Sequence, residues 1–210
     1  MNSKRLSCLL SSVLFLACSG VVRAQTADTS ERRTNSQIID SILTPLEKRI
    51  LDLAEAMPAE KYSFAPTCGE FKGVRTFGEQ LKHIAADLYL DGAAILGENP
   101  PGDVETGETG SRAVRSKPEI IAYVKASFEY MHRAAVAIDD ANTLIPKPKF
   151  SPYGDDPTTR LRIAIAGIGH TNNHYGQLVE YLRMNGIIPP ASRRQPAGAT
   201  EKLGKANRSQ

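Results

Sequence analysis

Thr76 to Asp87 reads T-F-G-E-Q-L-K-H-I-A-A-D. Thr76 and Glu79 have the Thr-x-x-Glu spacing of a capping box, in which each side chain satisfies an amide that the first helical turn leaves unpaired. Phe77, Leu81, Ile84, Leu88 and Ile95 follow at threes and fours, the period of one apolar helix face. Gly97 and Pro100-Pro101 supply the stop.

The pattern repeats on both sides. Upstream, Ile38, Ile39, Ile42, Leu46, Ile50, Leu53 and Ala54 recur at helical spacing after Asn35 or Ser36 as cap, and the run ends at Met57-Pro58. Pro45 falls inside it and either kinks the helix or marks its true first turn. Downstream, Ser116 caps a third helix with Pro118 in its first turn, and its stripe is Ile121, Val124, Phe128, Met131, Ala135 and Ile138. A fourth is expected from Asp156-Pro157 to about Asn185, where Gly186 stops it. Ala59–Arg75, Gly102–Ser116 and Asn142–Asp156 are connections, the second read as a flexible surface loop, and no alternating strand pattern appears. Four amphipathic helices without strands predict an all-α four-helix bundle, and the long second and third connections allow a topology other than simple up-and-down.

The first residues read differently. Lys4 and Arg5 precede an uncharged apolar run from Leu6 to Val22, and Val22-Arg23-Ala24 has small residues where a signal peptidase cuts. A secretory signal peptide over residues 1–24, cleaved near Ala24, is the expectation, with a lipoprotein attached through Cys18 as the alternative. The layout is then 1–24 signal peptide, 25–34 disordered leader, 35–192 helical domain and 193–210 disordered tail. The expected location is periplasmic or secreted, with no stable membrane span after cleavage.

Removing that segment removes the basic balance. The chain has 26 basic and 23 acidic residues, and Lys4, Arg5 and Arg23 are the excess. A neutral remainder lacks the positive patch that nucleic-acid binding needs. Cys8 and Cys18 go with the segment, so Cys68 has no partner for an internal disulfide and is either a tolerated loop cysteine or a nucleophile. The apolar core must stabilise the fold, and about 160 residues suit a single one.

Four histidines are left to place. His170 and His174 are four apart in G-H-T-N-N-H-Y-G-Q-L-V, Gly169–Val179. At about 100° per residue, with His170 at zero, His174 falls near 40°, Ile163 and Tyr181 near 20°, and Gly167 near 60°. Both imidazoles therefore share the inward stripe, their Cβ atoms about 5–6 Å apart. Buried imidazoles need partners, and this spacing lets two rings converge on one cation, as in helical zinc motifs. Gly167, Gly169 and Gly176 would let another helix come close. His83 flanks the stripe of the second helix and can reach a neighbouring helix. Asp87, one turn on, either orients the His83 ring, takes a coordination position itself, or is a solvated surface residue. His132 reads as a boundary histidine of the third helix.

Thr76–Ala85 together with Gly169-His170-x-x-x-His174-Tyr175-Gly176-Gln177-Leu178 resembles the DinB/YfiT superfamily of four-helix metalloproteins. Lys61-Tyr62-Ser63-Phe64-Ala65-Pro66-Thr67 resembles its first connection, and the likeness covers roughly Asn35 to Ser192. The resemblance implies that His83, His170 and His174 bind a divalent metal ion, zinc or nickel foremost, although imidazole also suits copper and iron. It also implies two chemistries, thiol-dependent transfer and hydrolysis. Three neutral imidazoles leave a cation with an open position, where water or a thiolate is activated. The reading is an exported DinB-like protein, a metal-dependent hydrolase or transferase acting on an unidentified small molecule. The alternative is a non-catalytic metal-binding or partner-binding module, with a homodimer through one helix face left open. Asp87, Glu79, Tyr89 and Tyr175 are the candidates for a general base, none of them obvious.

Overall fold

The computed structural model describes residues 32–101, 104, 109–145 and 157–193. The expected signal peptide, most of the leader, Asp156 itself and nearly all of the tail lie outside the described residues. Four helices carry the structure: α1 (Asn35–Ala56), α2 (Phe77–Leu96), α3 (Lys117–Val136) and α4 (Arg160–Met184). No helix among the described residues is long and apolar enough to cross a membrane.

Each helix begins where local chemistry satisfies its first amides. Thr76 Oγ1 accepts from Glu79 N at 3.3 Å while Glu79 Oε2 accepts from Thr76 N at 2.8 Å, closing the expected box. Glu119 does the same for Ser116 at 2.8 Å. For α1 the cap is Thr34 rather than Asn35 or Ser36. Its hydroxyl accepts from Gln37 N and Gln37 Oε1 accepts from Thr34 N, so this choice satisfies two amides at once. For α4 the cap is Thr159, whose Oγ1 accepts from Arg162 N at 3.1 Å, and the helix starts at Arg160 rather than at Asp156-Pro157. The preceding Thr158–Thr159 forms a short strand β2 that pairs antiparallel with β1, Leu144–Ile145, a ladder too brief for alternation to reveal. Gly97 ends α2 in the left-handed region at φ 73°, where a side chain would be strained.

Two stripes shift by a residue. On α1, Leu43 is fully buried, while Ile38 and Ile42 are 43% and 41% exposed. On α3, Ile120 goes inside and Ile121 is only half-buried. One residue is 100° on a helix, and adjacent isoleucines leave the sequence two registers to choose from. Pro45 is accommodated within α1 on its exposed side, where its missing N–H is least costly. The second connection is not wholly at the surface: Val104 is buried with Ala86 and Tyr89, and Lys82 donates to the Ser111 carbonyl.

Polar ties at the helix ends define the topology. Asn35 N donates to Asp140 Oδ1, and Lys117 Nζ donates to the Glu55 and Met57 carbonyls, so α1 and α3 are antiparallel. Tyr130 and Arg133 both donate to Glu98, while Gly78 lies against Ile120, so α2 and α3 run parallel. Arg160 donates to the Ile95 carbonyl and Tyr181 to the Arg75 carbonyl, making α4 antiparallel to α2. Arg49 bonds Asn172 and Lys61 bonds Asn185, setting α4 parallel to α1. The order around the bundle is α1, α3, α2, α4. Parallel neighbours need a connection that returns along the whole helix, and this is what the long second connection supplies.

One apolar core fills the centre, with Leu43, Leu46, Phe77, Ile84, Phe128 and Leu178 all fully buried. All but four of the twenty residues of α2 are buried. Its polar residues Gln80, His83, Asp87 and Asp91, spaced by three and four, therefore lie inside rather than on a wet face.

Candidate metal centre

The antiparallel pair α2 and α4 brings His83 to the level of His170 and His174. The three Nε2 atoms face one another: His83 to His170 at 3.0 Å, His83 to His174 at 3.1 Å, and His170 to His174 at 3.0 Å. His83 and His174 are buried, whereas the His170 side chain is 32% exposed and forms the open side of the cluster.

Hydrogen bonding alone cannot account for this triangle. A neutral imidazole nitrogen carries either one hydrogen or one lone pair. Among three mutually facing nitrogens, at least one contact must set donor against donor or acceptor against acceptor. A cation at the centre removes the conflict by taking all three lone pairs. Tetrahedral zinc at about 2.0–2.1 Å from each nitrogen would set them about 3.3 Å apart, a few tenths of an ångström wider than observed. The donor set fits, and these three residues could hold a metal ion.

Asp87 belongs to the same cluster. Its Oδ2 is 2.6 Å from His170 Nε2 and 3.3 Å from His83 Nε2, and the residue is 6% exposed. It is not a solvated surface residue. Nor does it orient the His83 ring from behind, because the contact is to Nε2, on the converging side, rather than to Nδ1. Its oxygen stands with the donor atoms.

Burial first, and the neighbouring His83 and His170 next, push the His174 imidazole down from 6.5 to about 4. A buried ring flanked by two others resists a further charge. His174 is thus neutral, as a ligand must be, throughout the range above about pH 4. Between about 4 and 6.5 the unfolded chain binds this proton and the native one does not, so His174 makes the native state less stable as pH falls through that window.

One turn beyond Asp87, Asp91 is fully buried, and neither of its carboxylate oxygens has a hydrogen-bond partner. Burial, then the Asp87 charge, raises its pKa well above 3.8. The native chain therefore keeps this proton to a higher pH than the unfolded chain does. Above about pH 4 that difference erodes stability as pH rises, until Asp91 ionises in the native state too. Asp91→Asn should abolish this slope. In urea unfolding of metal-free protein at about pH 4 and pH 8, the variant is more stable relative to the wild type at pH 8 than at pH 4. A gap that stays constant with pH would refute the assignment.

Room for Asp91 comes from Gly167 on α4, where a Cβ would collide with the Asp91 carboxylate. The close approach expected of three glycines holds here alone: nothing lies within 4 Å of a Cβ built on Gly169 or Gly176. The other base candidates are occupied elsewhere. Glu79 is held in its capping box. Tyr89 packs between Tyr123 and Tyr130, and Tyr175 lies under Arg49. His132 bridges Asp40 and Glu47, joining α3 to α1 as a boundary histidine does. Cys68 is exposed.

Sequence reasoning passed over Asp91 and the pair Gln80–Gln177, in which Gln80 Nε2 donates to Gln177 Oε1 at 2.6 Å. The signal was there for both. Gln80 and Asp91 share the His83 face at −3 and +8, and Gln177 follows His174 by three. A polar residue on a face that must be buried is the informative kind.

A family model described as the DinB superfamily matches residues 43–178, which include all three histidines and span parts of all four helices. No curated protein matches the chain at a significant level.

Proposed function

Since the chain belongs to the DinB superfamily, we propose that it holds one divalent cation, zinc or nickel, on His83, His170 and His174 and is a metal-dependent enzyme of hydrolase or transferase type. The observation that carries this reading is the convergence of three Nε2 atoms within 3.0–3.1 Å of one another. A metal so bound, with a position left open, supplies a water of lowered pKa or an activated thiolate.

The chain's own residues do the rest. His83 and His174, buried on facing helices, fix two donors, and the more exposed His170 leaves approach open on its side. Asp87 Oδ2 is a carboxylate oxygen within hydrogen-bond reach of two of these nitrogens. It can accept a proton at the reacting centre or complete the donor set. Residues 1–24 read as an export signal. Low-molecular-weight thiols are cytosolic substrates, so export favours hydrolysis over thiol transfer.

Metal-free protein given zinc, then a panel of esters, amides and thiol acceptors, tests the reading. At 100 times its dissociation constant, zinc adds about 2.7 kcal/mol of stability. For a chain of this size the melting temperature should rise by about 5–10 °C. His174→Ala should lose that rise and any turnover while remaining folded. A wild-type protein whose melting temperature ignores zinc and nickel alike would end the proposal. Tight binding without turnover across the panel would favour the non-catalytic module.

A further inference from the structure

Beside the metal centre, at the end of the bundle where α2 begins and α4 finishes, lies a cavity of about 850 Å³. That volume is in the range of small-molecule sites. None of the three histidines lines it. Gln80 and Gln177 do, and each is three residues, roughly one helical turn, from His83 or His174.

Its wall accounts for otherwise unexplained exposed apolar groups. Phe71 and Val74 are each 37% exposed and Met184 is 53% exposed, and all three line this one cavity with Pro66 and Tyr181. Large apolar side chains brought together around a concavity mark a place that another apolar surface covers. The polar features are few. Gln80 is 3% exposed and its Oε1 has no hydrogen-bond partner, while its Nε2 is spent on Gln177 Oε1. The bond between the two amides leaves Gln177 Nε2 as a donor at the wall. The charged lining residues are Arg75, Glu79 and Glu180, one positive and two negative. Glu79 is held by Thr76, and Glu180 is paired with Arg183. Arg183 offsets Glu180, and Arg75 lies close enough to act on the Glu79 carboxylate, so the lining carries no unbalanced charge and favours an uncharged ligand.

We propose that this cavity binds an uncharged carbonyl compound with an apolar body, its oxygen accepting from Gln177 Nε2 and its chain lying on Phe71, Val74 and Met184. It is the substrate-holding half of the site. The inference rests on the metal-centre reading only for that role, since occupancy of the cavity does not require a metal. The donor one turn from His174 fixes the carbonyl end towards the cluster, and the apolar rim takes the remainder.

The test uses metal-free protein and three probes of one chain length, hexanamide, hexanoate and hexylammonium, followed by ¹⁵N NMR titration at neutral pH. Hexanamide should shift resonances of the lining residues saturably. The two ions should bind at least about tenfold more weakly, the charge preference read directly. Gln177→Leu should weaken hexanamide about tenfold by removing its donor, and Val74→Trp should block it by filling the space. The far-ultraviolet circular dichroism and cooperative thermal unfolding of metal-free Val74→Trp should stay close to those of the wild type, which shows that the variant folds. Hexanoate binding as tightly as hexanamide would overturn the ligand class. Hexanamide binding indifferent to both substitutions, or shifts confined to other residues, would overturn the site. Zinc bound without hexanamide defeats this inference alone; hexanamide bound without zinc or nickel defeats only the metal reading.

Discussion

His83→Ala should weaken zinc binding by more than about 100-fold. Loss of a residue that merely orients a metal ligand costs about 10–100-fold, and His83 supplies a donor atom itself. It is also the only histidine of the three on α2. Without it, the α4 pair His170 and His174 remains, two donors on one helix, with the Asp87 carboxylate facing them from α2. Chelator competition on metal-free protein measures the change. His132→Ala is the control, since His132 ties α3 to α1 through Asp40 and Glu47 and takes no part in the cluster. Far-ultraviolet circular dichroism separates lost affinity from lost fold. An affinity for His83→Ala within about threefold of wild type would mean that the three nitrogens do not act as one site.

The second large effect is on stability. Gly167→Ala should cost about 2–3 kcal/mol, although alanine is the better helix former by about 1 kcal/mol. The new Cβ would run into Asp91 Oδ2, with Asp91 Cγ at 3.1 Å behind it. Asp91 is short and fully buried, so its carboxylate has no solvent to swing into. A close-packed interior transmits such a clash rather than absorbing it. The double variant Gly167→Ala, Asp91→Ala should recover most of the loss. A favourable coupling of more than about 1 kcal/mol in the cycle is the specific result expected for residues in contact. A Gly167→Ala protein as stable as wild type would show that α2 and α4 have slack at this level, and would weaken the case for a rigid centre one turn away.

These two substitutions mark where the sequence could be read and where it could not. Capping boxes, terminal glycine and prolines, and the apolar period of α2 are local signals. Hydrogen bonds between residues three or four apart fix them, and they placed α2 and α3 correctly. The start of α4 differs from the expected Asp156-Pro157 because Thr158–Thr159 pairs with Leu144–Ile145, a contact that no local pattern records, and the helix begins after it with Thr159 as its cap. Ile42 against Leu43, and Ile120 against Ile121, were ambiguous because either register makes an apolar stripe, and the facing helix selects one.

By itself, the sequence determined four helices, a single core and an inward-facing pair of histidines on α4, because helical periodicity ties spacing to direction. Only the tertiary structure decided that α2 runs parallel to α3 and antiparallel to α4, and that register sets His83 Nε2 against His170 and His174. The same packing chose among the three readings the sequence left open for Asp87 and set it beside the donor atoms, and it buried Asp91 against the bare backbone of Gly167. Contacts between residues some 80–90 positions apart depend on how helices dock, and no local pattern records the docking.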